Sequence, residues 1–127
     1  MKICPIDNSL RIFGHKYALH IIRNILLLKQ NRFSQLLRSI EGINTKTLSI
    51  RLRELENFGL IKRTIVNRRP VQTEYSLKEK GMALEPILAH IAAFSARYDP
   101  KKVFKDGKSR NSIQQIFNAD SLSRAYD

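Results

Sequence analysis

The stretch Asn44-Thr45-Lys46-Thr47-Leu48-Ser49-Ile50-Arg51-Leu52-Arg53-Glu54-Leu55-Glu56-Asn57-Phe58-Gly59-Leu60 decides the fold. Leu48, Leu52 and Leu55 recur at i, i+4 and i+7, which makes one apolar stripe on an α-helix. Asn44 stands where an N-cap side chain takes up a free amide of the first turn. Gly59 stands where a left-handed residue ends a helix, and Leu60 can fold back on the last turn. With the leucines turned inward, 100° steps place Lys46, Ser49, Ile50, Arg53 and Asn57 on the opposite face. A charged outer face is the rule on surface helices. An outward Ile50 among cations, with a basic hairpin following, is what sets this face apart.

Toward the N-terminus, Ser34 is expected to cap a short helix through Ile40 that buries Leu36, Leu37 and Ile40. Glu41-Gly42-Ile43 then makes a tight connection to the next helix. Toward the C-terminus, Ile61–Val66 and Gln72–Leu77 alternate around the turn Asn67-Arg68-Arg69-Pro70, so the pair reads as a hairpin. Two short helices around a glycine turn, followed by a basic hairpin, describe a winged helix-turn-helix. The fold class is mainly α with a small β-hairpin (α+β).

Around this centre, Pro5–Phe13 reads as a first helix ended by Gly14. Lys16–Leu28 reads as a second, apolar on most sides and therefore central to the core. Asn31-Arg32-Phe33 is expected to bridge to the hairpin as a trace of strand. Lys78–Tyr98 reads as one long helix, with capping-box spacing between Ser76 and Glu79 and an apolar stripe of Leu84, Ile87, Leu88, Ile91 and Ala92. Residues 1–98 form the expected winged domain, and 99–127 a basic linker and short extension in which Ile113, Ile116 and Phe117 can make a docked turn.

The chain has 127 residues and a net charge of +12, enough for one domain with a polyanionic partner or for plain solubility. Its distribution separates these. Residues 29–72 hold ten cations and three anions, a net +7, whereas 73–98 hold three of each. Ile25-Leu26-Leu27-Leu28 is far too short to span a bilayer, and one cysteine cannot form an internal disulfide, so a cytoplasmic protein with no membrane partner is expected.

The best base-reading candidates on the decisive helix are Lys46, Ser49, Ile50 and Arg53, flanked by Thr45 and Thr47, because a recognition helix presents its N-terminal part to the major groove. Arg53 suits guanine O6 and N7, and Ile50 a thymine methyl. Ser34, Gln35 and Arg38 open the preceding helix and suit a backbone phosphate, with Arg32 and Lys29 nearby. Arg68 and Arg69 sit at the hairpin tip, where a wing meets the backbone or the minor groove. Lys62 and Arg63 alternate in direction, so at most one of them faces DNA.

The ordered set of Cys4-Pro5, Gly14-His15-Lys16-Tyr17, Arg32-Phe33, Leu48 through Glu56, Gly59-Leu60-Ile61, Glu74-Tyr75-Ser76-Leu77 and Gly81 resembles the HxlR-type family of prokaryotic winged-helix regulators. The resemblance covers most of residues 4–98. It implies a homodimer on double-stranded DNA, a role in transcription regulation, and in some members a response to oxidants or electrophiles through the N-terminal cysteine. Tyr17 stands where the family usually has Trp, which suggests a modest core change, and the tail beyond Asp99 is longer than usual.

The stripe of the long C-terminal helix is wider than one small domain covers, and the first helix has a similar face. Pairing them about a two-fold axis would set two recognition helices roughly 34 Å apart on an inverted repeat. Cys4 precedes a helix start, with Lys2, Arg11 and Lys16 as candidate neighbouring cations, a setting that favours thiolate chemistry. An inert terminal thiol is the other reading. Cys4, His15, His20 and His90 show no metal-ligand spacing, and the sequence has no phosphate loop or nucleophile elbow. No enzyme, cofactor or metal site is therefore expected, and no small-molecule effector is named by the sequence. The alternative is a winged-helix module for RNA or protein contacts. RNA modules usually carry stacking aromatics, and the basic region holds only Phe33 and Phe58.

Overall fold

Pro5 opens the first helix because its missing N–H is not required in a first turn. In the computed structural model, which describes residues 1–106, the elements run α1 (Pro5–Phe13), α2 (Ala18–Leu26), α3 (Phe33–Ser39), α4 (Thr45–Asn57), β1 (Ile61–Arg68), β2 (Val71–Leu77), α5 (Glu79–Met82), α6 (Glu85–Tyr98) and α7 (Pro100–Val103). The chain divides after Met82 into two units. The first carries α1 to α5 and the hairpin, the second α6 and α7.

Within the first unit, Ile21 and Ile22 of α2 are fully buried, as are Leu36 and Leu48, with Ile40, Leu52, Leu55, Leu60 and Ile61 nearly so. The expected centrality of α2 and the inward leucine stripe of α4 both hold. The helix α2 begins two residues later than expected, because Tyr17 takes a left-handed conformation (φ 75°) that cannot continue a helix. Tyr17 is half-buried rather than a core residue, its ring lying edge-on to His20 at 5.9 Å.

The expected cap at Ser34 is corrected. Phe33 already begins α3, and Gln35 performs the capping: its Oε1 accepts from the backbone N–H of Asn31 at 2.9 Å and of Arg32 at 3.0 Å. The anticipated strand at 31–33 reduces to one link, in which Tyr75 N–H donates to the Asn31 carbonyl at 2.9 Å. The Asn44 cap is present, its Oδ1 accepting from Thr47 N–H at 2.8 Å. At the far end of α4, Gly59 has φ 79°, and Leu60 N–H returns to the Leu55 carbonyl.

Asn24 is a polar residue inside this core, fully buried on a helix of aliphatics. Its side chain accepts from Arg23 Nε at 2.8 Å and donates to Gln30 Oε1 at 3.1 Å, and Gln30 donates in turn to Ser39 Oγ at 2.7 Å. The chain of bonds ties the end of α2 to the end of α3, and its full pairing removes the cost of burying an amide.

Among the described residues the sheet is two-stranded and antiparallel, with Ile61 opposite Leu77, Arg63 opposite Tyr75 and Arg68 opposite Val71. The strands run further than expected. Asn67 and Arg68 belong to β1, the register shifts between Ile65 and Asn67, and Arg69-Pro70 alone turns the chain. Gly81 of α5 sits so close under the hairpin root that a Cβ there would run into the Leu60 carbonyl.

The single long helix expected from Lys78 to Tyr98 is two helices. Pro86 lies in the first turn of α6, where its missing N–H costs nothing; in the interior of a continuous helix it would break the ladder. Ser76 is in β2 and caps no helix. In the second unit Ala89 and Ala96 are buried, while Ile91, Phe94 and Tyr98 stand exposed. Pro100–Val103 adds one helical turn where a linker was expected to begin. Ile113, Ile116 and Phe117 lie outside the described residues.

Candidate nucleic-acid interface

On α4 the buried leucines force the opposite face outward, as helical geometry requires. Thr45, Lys46, Ile50, Arg53 and Asn57 are exposed, while Thr47 and Ser49 are half-buried at the flanks. Ile50 keeps 38% of its surface accessible, a large aliphatic turned to solvent between cations. Arg51, on the same helix, points elsewhere. Its Nε donates to the Lys16 carbonyl at 2.9 Å, and its Nη1 lies 3.3 Å from Glu54, so it staples α4 to the turn before α2.

Ser34 and Arg38 of α3 are exposed, and Gln35 is half-buried with its carbonyl oxygen committed to the two backbone amides that it caps. Those amides are therefore satisfied within the chain. Arg32, a candidate backbone contact, instead reaches Glu74 of β2 at 3.0 Å. Both partners are about one-third exposed, so the pair is worth at most about 1 kcal/mol. Its value lies in orienting the hairpin root against the start of α3. Arg68 and Arg69 are exposed at the hairpin tip, and Arg69 N–H donates to Asn67 Oδ1 at 3.2 Å, which shapes the turn.

Between α4 and the hairpin root runs an open groove of about 480 Å³. The helix contributes Ser49, Leu52, Arg53, Glu56 and Asn57, the hairpin contributes Arg63 and Tyr75, and Phe33 completes the lining. The sequence alone left open which of Lys62 and Arg63 faces this side. The register answers it, because Arg63 pairs with the largely buried Tyr75 on the groove side and Lys62 pairs with Ser76 on the other.

Cys4 is exposed, a free thiol one residue before α1. His20 has a pKa lowered from the ordinary 6.5 by partial burial and then by the neighbouring Arg23 charge. A lowered pKa means that the folded chain resists a proton which the unfolded chain accepts. The contribution to stability is thus complete above 6.5 and is lost as pH falls through the lowered value. The thermal midpoint should decline modestly between about pH 7 and pH 5. His20→Gln should flatten part of that decline; parallel profiles for the two proteins would refute the assignment. Among the described residues, no group of three His, Cys, Asp or Glu side chains is arranged to hold a metal ion, and no helix is long and apolar enough to cross a membrane.

This arrangement has close parallels. An HTH-type transcriptional regulator of Synechocystis sp., itself uncharacterised, is 38% identical over 86 residues, 68% of this chain. The match spans 63% of that protein, less than two thirds of its length. The solved structure of the HTH-type transcriptional regulator ytcD superposes with a TM-score of 0.68 at 35% identity, over 74% of this chain and 95% of that one. The redox regulator HypR in its oxidized form superposes with a TM-score of 0.65 at 30% identity, over 72% of this chain and 94% of that one. The sequence profile of the HxlR-like helix-turn-helix family matches residues 12–103, from the end of α1 through α7. With a winged helix-turn-helix built from these residues and that profile covering most of the chain, the protein belongs to the HxlR-like helix-turn-helix family of transcription regulators.

Proposed function

We propose that the chain binds double-stranded DNA sequence-specifically, as a homodimer on an inverted repeat, with α4 in the major groove and the hairpin tip at the adjacent minor groove. The observation that carries this reading is the outer face of α4, where Lys46, Ile50 and Arg53 are exposed directly opposite the buried Leu48, Leu52 and Leu55. Lys46, Ser49, Ile50 and Arg53 read base edges, with Thr45 and Thr47 beside them. Ser34, Arg38 and the amide nitrogen of Gln35 meet the backbone, and Arg68 and Arg69 anchor the wing. Each phosphate neutralised by a cation releases condensed counterion, so log K should fall with log salt by about 0.9 per contact. A nearly flat salt plot would reject DNA binding. On a panel of selected and mismatched duplexes, Arg53→Ala should lose roughly 1–3 kcal/mol of discrimination at one base pair. Arg69→Ala should weaken every sequence alike, and the reverse pattern would exchange the roles of helix and wing.

Dimerisation is supported by two apolar faces that solvent would otherwise cover: Ile6 and Leu10 on α1, and Ile87, Ile91, Phe94 and Tyr98 on α6. The exposed Cys4 and the likeness to HypR, a redox regulator, support a thiol that adjusts DNA affinity when oxidised or alkylated. Cys4→Ser binding DNA identically with and without oxidant, where the parent chain does the same, would remove that role.

A further inference from the structure

We infer that the groove between α4 and the hairpin root seats the sugar–phosphate backbone of the bound duplex, with Arg63 as the cation that holds it from the hairpin side. The inference rests on the proposed placement of α4 and the wing. A helix in a major groove and a wing tip at the neighbouring minor groove lie on either side of one sugar–phosphate strand, because that strand is the wall between the two grooves. The strand must then pass over whatever surface joins helix to hairpin root. That surface is the groove lined by Ser49, Arg53 and Asn57 on one wall and by Arg63 and Tyr75 on the other.

Its chemistry suits a phosphodiester. Arg63 is exposed and on the groove side of β1, and its guanidinium can offer two parallel N–H donors to one phosphate. Asn57, exposed on the helix wall, supplies a neutral donor. Glu56 lines the same groove and opposes an anion. With DNA bound, its carboxylate limits how tightly any backbone, whatever its sequence, is held. Arg63 therefore sets affinity and register, whereas Arg53 on the facing wall sets base preference. Lys62, one residue away on the opposite face of the strand, has no part in the contact.

The test is fluorescence anisotropy of the full chain with a selected operator duplex and an unrelated duplex, across a salt series. Arg63→Ala should weaken both duplexes about tenfold, keep their affinity ratio, and reduce the salt slope by about one. Lys62→Ala should change affinity by less than about threefold through the general field alone. Glu56→Gln should tighten both duplexes several-fold. Arg63→Lys, which keeps the charge but loses the paired donors, should fall between the parent and Arg63→Ala. If the parent chain binds DNA with a steep salt slope while Arg63→Ala and Lys62→Ala are indistinguishable, the groove assignment is wrong and the DNA reading stands. If Arg63→Ala instead changes the affinity ratio of the two duplexes, Arg63 reads sequence and the assignment is again wrong. If the parent chain shows no salt-dependent binding, the DNA reading fails and the groove assignment with it. Melting curves of Arg63→Ala matching the parent exclude misfolding as the cause. Should Arg63→Ala fail to fold, Arg63→Lys binding more weakly than Lys62→Ala supports the assignment, and equal binding of those two overturns it.

Discussion

In the proposed homodimer, Ile91→Asp is expected to leave a monomer and to lower affinity for a full inverted repeat by about two to four orders of magnitude. Ile91 stands half exposed near the middle of α6, between Ile87 and Phe94 on the same side of the helix. A carboxylate there would have to be desolvated at the proposed two-fold interface against the partner's like charge. Loss of the dimer removes the linkage between the two DNA contacts. The second half-site then gains nothing from the first, and avidity gains of this kind are typically about 10²–10⁴. Sedimentation at micromolar concentration measures the first effect and titration with full and half operators the second. A parent chain that sediments as a monomer would overturn the dimer, and an Ile91→Asp protein that remains dimeric would place the interface elsewhere.

The second large effect is on stability. Leu48 is completely buried and holds the first turns of α4 to the core. Leu48→Ala removes the burial of the lost carbons and leaves a cavity, a change that costs about 2–5 kcal/mol in comparable sites. Domains of this size hold about 5–15 kcal/mol in total, so a large share of the native margin would go. Urea unfolding should show a lowered midpoint with an unchanged slope. Where the variant remains folded it should still bind DNA, since Leu48 faces away from the proposed duplex. A midpoint shift equivalent to less than about 1 kcal/mol would mean that the stripe is not what anchors α4.

How much of this was legible from the chain follows from the range of the forces involved. The helix α4, with its Asn44 cap, its left-handed Gly59 and its leucine stripe, depends on residues within one or two turns, and each was readable as a pattern. The outward set Lys46, Ile50 and Arg53 follows from the same 3.6-residue period. The hairpin was readable too, but its tip was not: the strands extend to Arg68 and from Val71, because a register shift after Ile65 brings Asn67 and Arg68 into the ladder. The break between α5 and α6 was written in Pro86, and the apolar period running through it concealed the boundary.

Other features were not local, and no pattern announced them. Gln35 caps α3 in place of Ser34 because its side chain reaches back to two amides whose position depends on where the preceding loop runs. Arg32 turns to Glu74, forty-two residues away, and Arg51 to the Lys16 carbonyl, so two cations that composition assigned to a general positive surface are pinned within the fold. Asn24 on its aliphatic helix carried no signal of its partners, since Gln30 and Ser39 meet it only when α2 and α3 pack.

Periodicity and charge along the chain were enough to establish a winged helix-turn-helix, the inward and outward faces of α4, and the gathering of +7 within residues 29–72. Those properties follow from torsional preference and nearest-neighbour spacing, which every short segment carries with it. Which of those cations point outward together, that Arg63 rather than Lys62 shares a groove with Arg53, and that Gln35 and Arg32 are held by the fold became visible when distant segments were brought together. Strand register and side-chain packing are set by contacts across the chain, and no single segment contains both halves of such a contact.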